Sequence, residues 1–518
     1  MKVLKIIGIV IISQIIILFL IGFINLRDTH PGYEVDIKVE NSKPGAIYAG
    51  FSALSITPQY FEPWSDVDNN GKYEPRKGDT YEDLNGNGKF DTYWIAGFGL
   101  KAAAKGIHDD LWARTMIIDD GNSRLALVAV DVIGIFHPMV IDIREMIPSE
   151  IGITYLVITS THTHAGPDLL GLWGNSVIKS GVNKEWKEYV KKRIVESVIA
   201  AAESIRPVSL RFTQNLNEGL VTLTDTREPY VFDEGIRIIE AVDAETSQTI
   251  GTVIQWANHP ETLWSKNLHI SSDFPHFIRE RVENGVYNGD SLVREGVGGV
   301  AIYVNGAVGG LITTHSSTGV KDPFADTVYV KPSIDKMRAQ GDTLGLIILR
   351  TMRDEFVEID KGSINLVAKT IELPLKNKLF FAASAMGKIE AGMCGWMKKR
   401  SEIAAWSIGP ASFITFPGEL YPEILNGGIV ALPGRDFEIE SIETPPLRDK
   451  MQGEFRFGIG LANDEIGYII PKSQWDVKAP YIYRDKPYYG EVNSIGSETA
   501  PLLYEELTNI LQWLPKNP

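Results

Sequence analysis

A single cysteine, Cys394, stands in this chain, so no disulfide can form within it. In its apolar Ala-Gly-Met neighbourhood it reads as buried filler rather than as a nucleophile. Positive charge is also short: 51 Lys and Arg face 66 Asp and Glu, a net charge of −15. That balance excludes a nucleic-acid binder, which must neutralise phosphates, and reads as ordinary solubility. There is no internal repeat and no low-complexity tract. Histidine is scarce, nine in 518 residues, so any clustering of it carries information. Apolar and charged fractions are those of a soluble globular protein, and the length allows roughly two to four domains.

The N-terminus is the exception to that solubility. Lys2 and Lys5 precede an apolar run from Ile6 to Ile24 whose polar side chains are Ser13 and Gln14. Roughly twenty helical residues span about 30 Å, the thickness of a bilayer core. The run exceeds a usual signal-peptide core, and no small-residue cleavage site follows it. The expectation is an uncleaved signal anchor over residues 1–27, a single pass with the rest of the chain outside the cell membrane. The alternative is secretion after signal cleavage. Residues 28–45, with His30-Pro31-Gly32 and Lys43-Pro44-Gly45, read as a linker, and 46–518 as one catalytic domain.

From Ala49 on, strand-like runs alternate with helical stretches. Strands are expected at 125–131, 154–160, 251–257, 299–304 and 411–416, and helices at 184–204, 275–284, 340–357 and 380–400. The pattern predicts an α/β fold, a mixed sheet core flanked by helices with the site at the carboxyl ends of strands. Several strands run out into chemically loaded turns. One exit is Thr161-His162-Thr163-His164-Ala165-Gly166-Pro167, and others are Asn258-His259-Pro260, Asn305–Gly310 and Pro417-Gly418-Glu419. Filling a core does not require His, His and Glu at successive exits, so the exits are expected to converge on one cleft. Taken alone, the His-x-His pair is equally compatible with a metal and with hydrogen-bonded structural histidines.

A separate signal lies between Asp66 and Asp91. Asp66, Asp68, Asn70 and Glu74 follow the spacing of a calcium loop with Gly71 at its sharp turn, and Asp83, Asn85, Asn87 and Asp91 repeat it around Gly88. Lys77 and Trp94 stand where a standard EF-hand has its bidentate glutamate. Structural Ca2+ is the expected occupant, against a turn-rich surface loop.

The motifs above, in this order and together with Gly106–Arg114 and Gly460–Tyr468, resemble the neutral (non-lysosomal) ceramidases over roughly Ala49 to Leu511. The resemblance implies a Zn2+ ion held by His162, His259, Glu419 and Tyr468, a donor set that suits zinc apart from the less usual tyrosine. It implies hydrolysis of an N-acyl amide in a lipid such as ceramide by zinc-activated water. His164 is then a proton shuttle or outer-sphere donor. His108 and Arg114 are candidate pocket residues, Arg114 being equally compatible with a buried ion pair, and Asp273 either orients a zinc-bound histidine or caps the helix at 275–284.

The chain departs from that family in three places. Its catalytic serine falls on Gly309, and a neighbouring aspartate on Ala307. No C-terminal immunoglobulin-like domain is expected after Leu502, and the calcium-like loops are an insertion. The expected partner is a lipid or small N-acyl substrate. The competing expectations are a zinc hydrolase of another lipid amide or ester, favoured by Gly309, and a non-catalytic zinc-containing surface protein.

Overall fold

A computed structural model describes residues 2–515, apart from the side chains of residues 2–5, 8, 15, 18 and 311. Two mixed β-sheets pack face to face. In spatial order the nine-stranded sheet runs Val300–Val304, Thr249–Gln255, Ile236–Asp243, Arg206–Asn215, Tyr48–Ser55, Trp112–Asp119, Arg124–Val130 and Tyr155–Ser160, with Val357–Ile359 pairing on Arg206–Asn215. The six-stranded sheet runs Asp36–Val39, Asn365–Pro374, Lys398–Ile408, Ala411–Thr415 and Phe455–Ile459, with Met393–Gly395 beside Lys398–Ile408.

The period of two explains the stacking. Along Arg124–Val130, Leu125, Leu127 and Ala129 face the second sheet, while Ala126, Val128 and Val130 face helices. Between the sheets, the rings of Trp406, Phe413 and Phe457 stack at centroid separations of 4.8 and 4.7 Å. Burying one such side chain contributes about 1.5–3 kcal/mol. The outer faces are covered by helices: His137–Met146 and Lys184–Glu203 on one part of the large sheet, Phe274–Asn284 and Ile334–Asp354 on the other. Thr499–Trp513 covers the small sheet. Strands buried on both faces read as unbroken apolar runs, which is the pattern seen in the sequence.

Parallel pairing sets the strand exits side by side. Val130 lies opposite Ser160, Gln255 opposite Val304, and Thr415 opposite Ile459. Asn305 ties two of these exits together, its Nδ2 donating to the carbonyls of Thr161 and Asn258, both at 3.0 Å.

Three expectations need correction. The helix expected at 380–400 covers Lys378–Ala385, after which Gly387 and Gly392 take left-handed φ values of 69° and 78° and the chain turns into strands. Residues 28–45 pack on the body instead of hanging free. Asp28 pairs with Arg400 at 2.5 Å, His30 with Asp142 at 3.0 Å, and Asp36–Val39 joins the small sheet.

The third correction concerns the N-terminus. Lys2–Asn25 is helical and ends against the body, Asn25 Nδ2 donating to the Ala385 carbonyl at 3.0 Å. Among the described residues, however, no helix is long and apolar enough to cross a membrane. A span needs about 20 consecutive apolar residues, and the described part of this run does not supply them. The single-pass anchor, with the membrane location built on it, is therefore overturned. The side chains of Lys2 and Lys5, from which its orientation was read, lie outside the described residues.

Candidate metal centre and its cavity

His162 sits just past the end of Tyr155–Ser160, with a left-handed φ of 70°. Its amide donates to the Val132 carbonyl at 3.0 Å, and its Nδ1–H to the Ile133 carbonyl at 2.5 Å. His259 is held in the same manner, Nδ1–H donating to the Ile312 carbonyl at 2.7 Å. With each Nδ1 committed as a donor, each Nε2 carries a lone pair. Those lone pairs meet a carboxylate: Glu419 Oε2 lies 2.9 Å from His259 Nε2 and 3.7 Å from His162 Nε2. Three buried acceptors converging on one point require a cation or a proton between them.

Where a proton serves, it resides on His259. Burial opposes charge there, but the Glu419 hydrogen bond and charge outweigh it and raise the pKa to about 9. His162, buried beside two other imidazoles, is driven down to about 3, burial being the main cause. The donor set of two imidazole nitrogens and a carboxylate oxygen fits a transition-metal ion of the zinc class better than calcium or magnesium, which take oxygen ligands.

Tyr468 and Glu419 are register partners in a short parallel pair, Glu419–Leu420 with Tyr468–Ile469. The tyrosine lines the cavity beside Glu419, and burial, then the Glu419 charge, hold its hydroxyl far above its ordinary pKa. The donor atoms of His162, His164 and His259 all lie within 4.8 Å of one another. His164 Nδ1 is 3.2 Å from Glu261 Oε2, yet neither ring nitrogen of His164 has a well-formed hydrogen bond.

These groups form part of the lining of a cavity of about 220 Å³, whose other wall is apolar and aromatic, including Phe98, Phe136, Leu170, Trp173 and Phe380. Among the described residues its lining has no lysine or arginine. Two carboxylates that sequence reasoning passed over, Glu261 and Glu465, line it as well. Glu261 directly follows Asn258-His259-Pro260 and Glu465 lies inside Gly460–Tyr468, three residues before Tyr468, and spacing alone did not separate them from their neighbours.

Other expected site residues lie elsewhere. His108 is outside the cavity lining, with Nδ1 2.8 Å from Asp109 Oδ2. Arg114 is buried in the large sheet, donating to Glu283 and, at 2.8 Å, to the Ala301 carbonyl. Asp273 is a helix cap: its carboxylate accepts from the amides of Phe274 at 2.7 Å and Leu263 at 3.1 Å. It does not orient His162 or His259, whose Nδ1 groups bond backbone carbonyls. These three side chains were singled out for their polarity, but the fold engages each of them away from the cavity lining.

In the first calcium-like loop, Glu74 is taken by Lys77 at 2.6 Å and Lys101 at 2.7 Å, while Asp66 accepts from the amides of Asn70 and Gly71. In the second, Asp83 accepts from the amides of Asn87 and Gly88, and the Nδ2 groups of Asn85 and Asn87 both donate to Asp91 at 2.7 Å.

Residues 87–313, under half of the chain, match the family of neutral/alkaline non-lysosomal ceramidases, N-terminal. The crystal structure of neutral ceramidase from Pseudomonas aeruginosa superimposes with a TM-score of 0.60 at 15% identity, over 90% of this chain and 74% of that one. A ceramidase complexed with C2 gives 0.61 at 14% identity, over 91% and 76%. The fold is the neutral ceramidase fold. Within it, Gly309, where the resemblance places the family's serine, has no room for a side chain. A Cβ on Gly309 would fall 2.3 Å from the Tyr421 ring and 2.6 Å from the Leu420–Tyr421 backbone. Gly309 and Ala307 are also absent from the cavity lining, so in this version of the ceramidase fold the turn at 305–311 packs behind the site.

Proposed function

We propose that this chain is a zinc-dependent hydrolase of N-acyl amide bonds in a lipid, ceramide or a relative of it. The observation that carries the reading is the convergence of His162 Nε2, His259 Nε2 and Glu419 Oε2 on one point of the wall of a largely apolar cavity. His162, His259, Glu419 and Tyr468 would hold the ion. When bound, it would supply Lewis acidity, polarising the amide carbonyl and acidifying a water.

The remaining work belongs to the chain. The aromatic and aliphatic wall receives the acyl chain and excludes bulk water, which strengthens every charge interaction inside. His164, with Glu261 behind Nδ1, accepts a proton at Nε2 from the attacking water and passes it to the leaving nitrogen. Glu261 stabilises the imidazolium that forms between the two transfers. The backbone carbonyls of Ile133 and Ile312 fix the tautomer and the orientation of both ligand rings.

A second reading, hydrolysis of a different lipid amide or ester, is favoured by one observation. The Gly309 position cannot accept a side chain, so this chain does without whatever the family's serine recognises.

Metal analysis of the full chain and a screen of N-acyl lipids test the proposal. The expected result is about one zinc per chain, lost in His162→Ala and His259→Ala, with hydrolysis falling on the order of 10³-fold or more. Unchanged metal content in both variants would overturn the site. Zinc with cleavage of another amide or an ester, but none of ceramide, would establish the second reading.

A further inference from the structure

Glu465 is the one cavity carboxylate for which the fold provides a half-finished set of bonds. Glu419 faces the ligand histidines and Glu261 faces His164. Glu465 Oε1 accepts from the Gly467 amide at 2.8 Å, while Oε2 is buried with no partner. The residue is 6% exposed and lines the cavity.

Its position is built rather than incidental. A Cβ on Gly134 would fall 2.8 Å from Glu465 Cγ and 2.9 Å from its Cβ, so only glycine there leaves room for this side chain. The preceding residues are pinned on both sides. The Asn463 amide donates to the Ile158 carbonyl at 2.7 Å, and Asp464 Oδ1 accepts from the His137 amide at 3.0 Å and Lys399 Nζ at 2.9 Å. A rigid side chain that holds one unmade hydrogen bond in a buried wall is costly unless a ligand completes it.

We infer that Glu465 is a specificity-determining residue that hydrogen-bonds a hydroxyl on the substrate near the scissile amide, selecting N-acyl amino alcohols over N-acyl alkylamines. A hydroxyl both donates and accepts, so it completes the carboxyl group in either protonation state. An anionic group is disfavoured, because the wall carries Glu261, Glu419 and Glu465 and, among its described residues, no lysine or arginine. The turn at Gly309, packed behind Leu420 and Tyr421, does not reach the cavity to serve instead. This inference rests on the hydrolase reading for the placement of the amide.

The test compares N-dodecanoyl ethanolamide with its isostere N-dodecanoyl propylamide. Binding to the zinc-loaded full chain is read by titration calorimetry, with fatty-acid release followed in parallel. The wild type is expected to bind the hydroxyl compound about tenfold more tightly. Glu465→Gln keeps most of that preference, Glu465→Leu abolishes it, and zinc content is the same in all three. Equal binding of the two compounds by the wild type overturns the inference, as does a preference that survives in Glu465→Leu. Loss of zinc from Glu465→Leu also overturns it, by making the residue a ligand. If the preference is present but no fatty acid is released, the hydrolase reading fails and this one stands. If both compounds are cleaved without discrimination, the reverse holds.

Discussion

Two clusters of imidazole and carboxylate lie in this fold, and the sequence offered a candidate site residue in each, His108 in the second. In the first, His162, His259 and Glu419 present three acceptors to one another at the cavity wall. In the second, behind the large sheet, every carboxylate oxygen meets donors. Asp109 accepts from His108, from the Ser271 hydroxyl and from the amide and hydroxyl of Ser272. Asp131 receives both ends of the Arg279 guanidinium at 2.9 Å, and the Trp112 amide at 2.9 Å. The difference is one of completion. Where acceptors meet donors, polar residues serve as structure, and where acceptors meet acceptors, a cation or a proton has to stand between them.

The comparison breaks most sharply at Arg279. Arg279→Met leaves Asp131 as an uncompensated buried charge and is expected to destabilise folding by about 3–5 kcal/mol. Urea unfolding reads this, and zinc per folded molecule should stay at the wild-type level. A metal defect without a stability defect would erase the distinction between the clusters.

His164→Gln sharpens it next. A shuttle variant retains zinc and loses about 10²–10⁴-fold in hydrolysis. If zinc leaves with the imidazole, the three histidines are the ligands and Tyr468 is not.

The smallest effect is a slope. Burial pushes the Asp273 carboxyl from 3.8 to about 6, against the pull of its backbone hydrogen bonds. A folded-state pKa above the unfolded one means stability that is present below pH 4 and is lost as pH rises through about 6. Asp273→Asn removes that titration. Whatever constant offset comes from its altered bond to the Leu263 amide, the variant should gain on the wild type by up to about 3 kcal/mol between pH 4 and pH 7. Parallel stability–pH curves for the two proteins would show that the cap does not titrate in this range.

Much of the fold was legible. The runs at 125–131, 154–160, 251–257, 299–304 and 411–416 are strands to within two residues at either end, because strands buried on both faces leave continuous apolar runs. The stretch at 386–400 was misread because apolar residues around two glycines give no period, and φ at Gly387 and Gly392 decides the turn. That the strands divide into two stacked sheets was not legible, since an apolar run does not record which layer covers it. At the site, His162, His259 and Glu419 stood out because they follow strands directly. His108, Arg114 and Asp273 stood out for the same polarity, and the sequence left Arg114 open between pocket and ion pair and Asp273 open between site and helix cap, because it does not show whether a side chain's bonds are complete. The fold makes Arg114 an ion-pair partner and Asp273 a cap.

The sequence by itself determined the α/β alternation, the absence of disulfides, the acidic surface and the supply of imidazole and carboxylate at strand exits, all of which are local or compositional. Tertiary structure alone decided which exits meet, through parallel registers and the Asn305 clamp. It also decided that the Gly309 turn is shut behind Tyr421, and that Glu465 enters the cavity through the room left at Gly134. Those outcomes depend on contacts between residues tens to hundreds of positions apart, where distance and hydrogen-bond completion are set by packing and leave no trace in the order of neighbours.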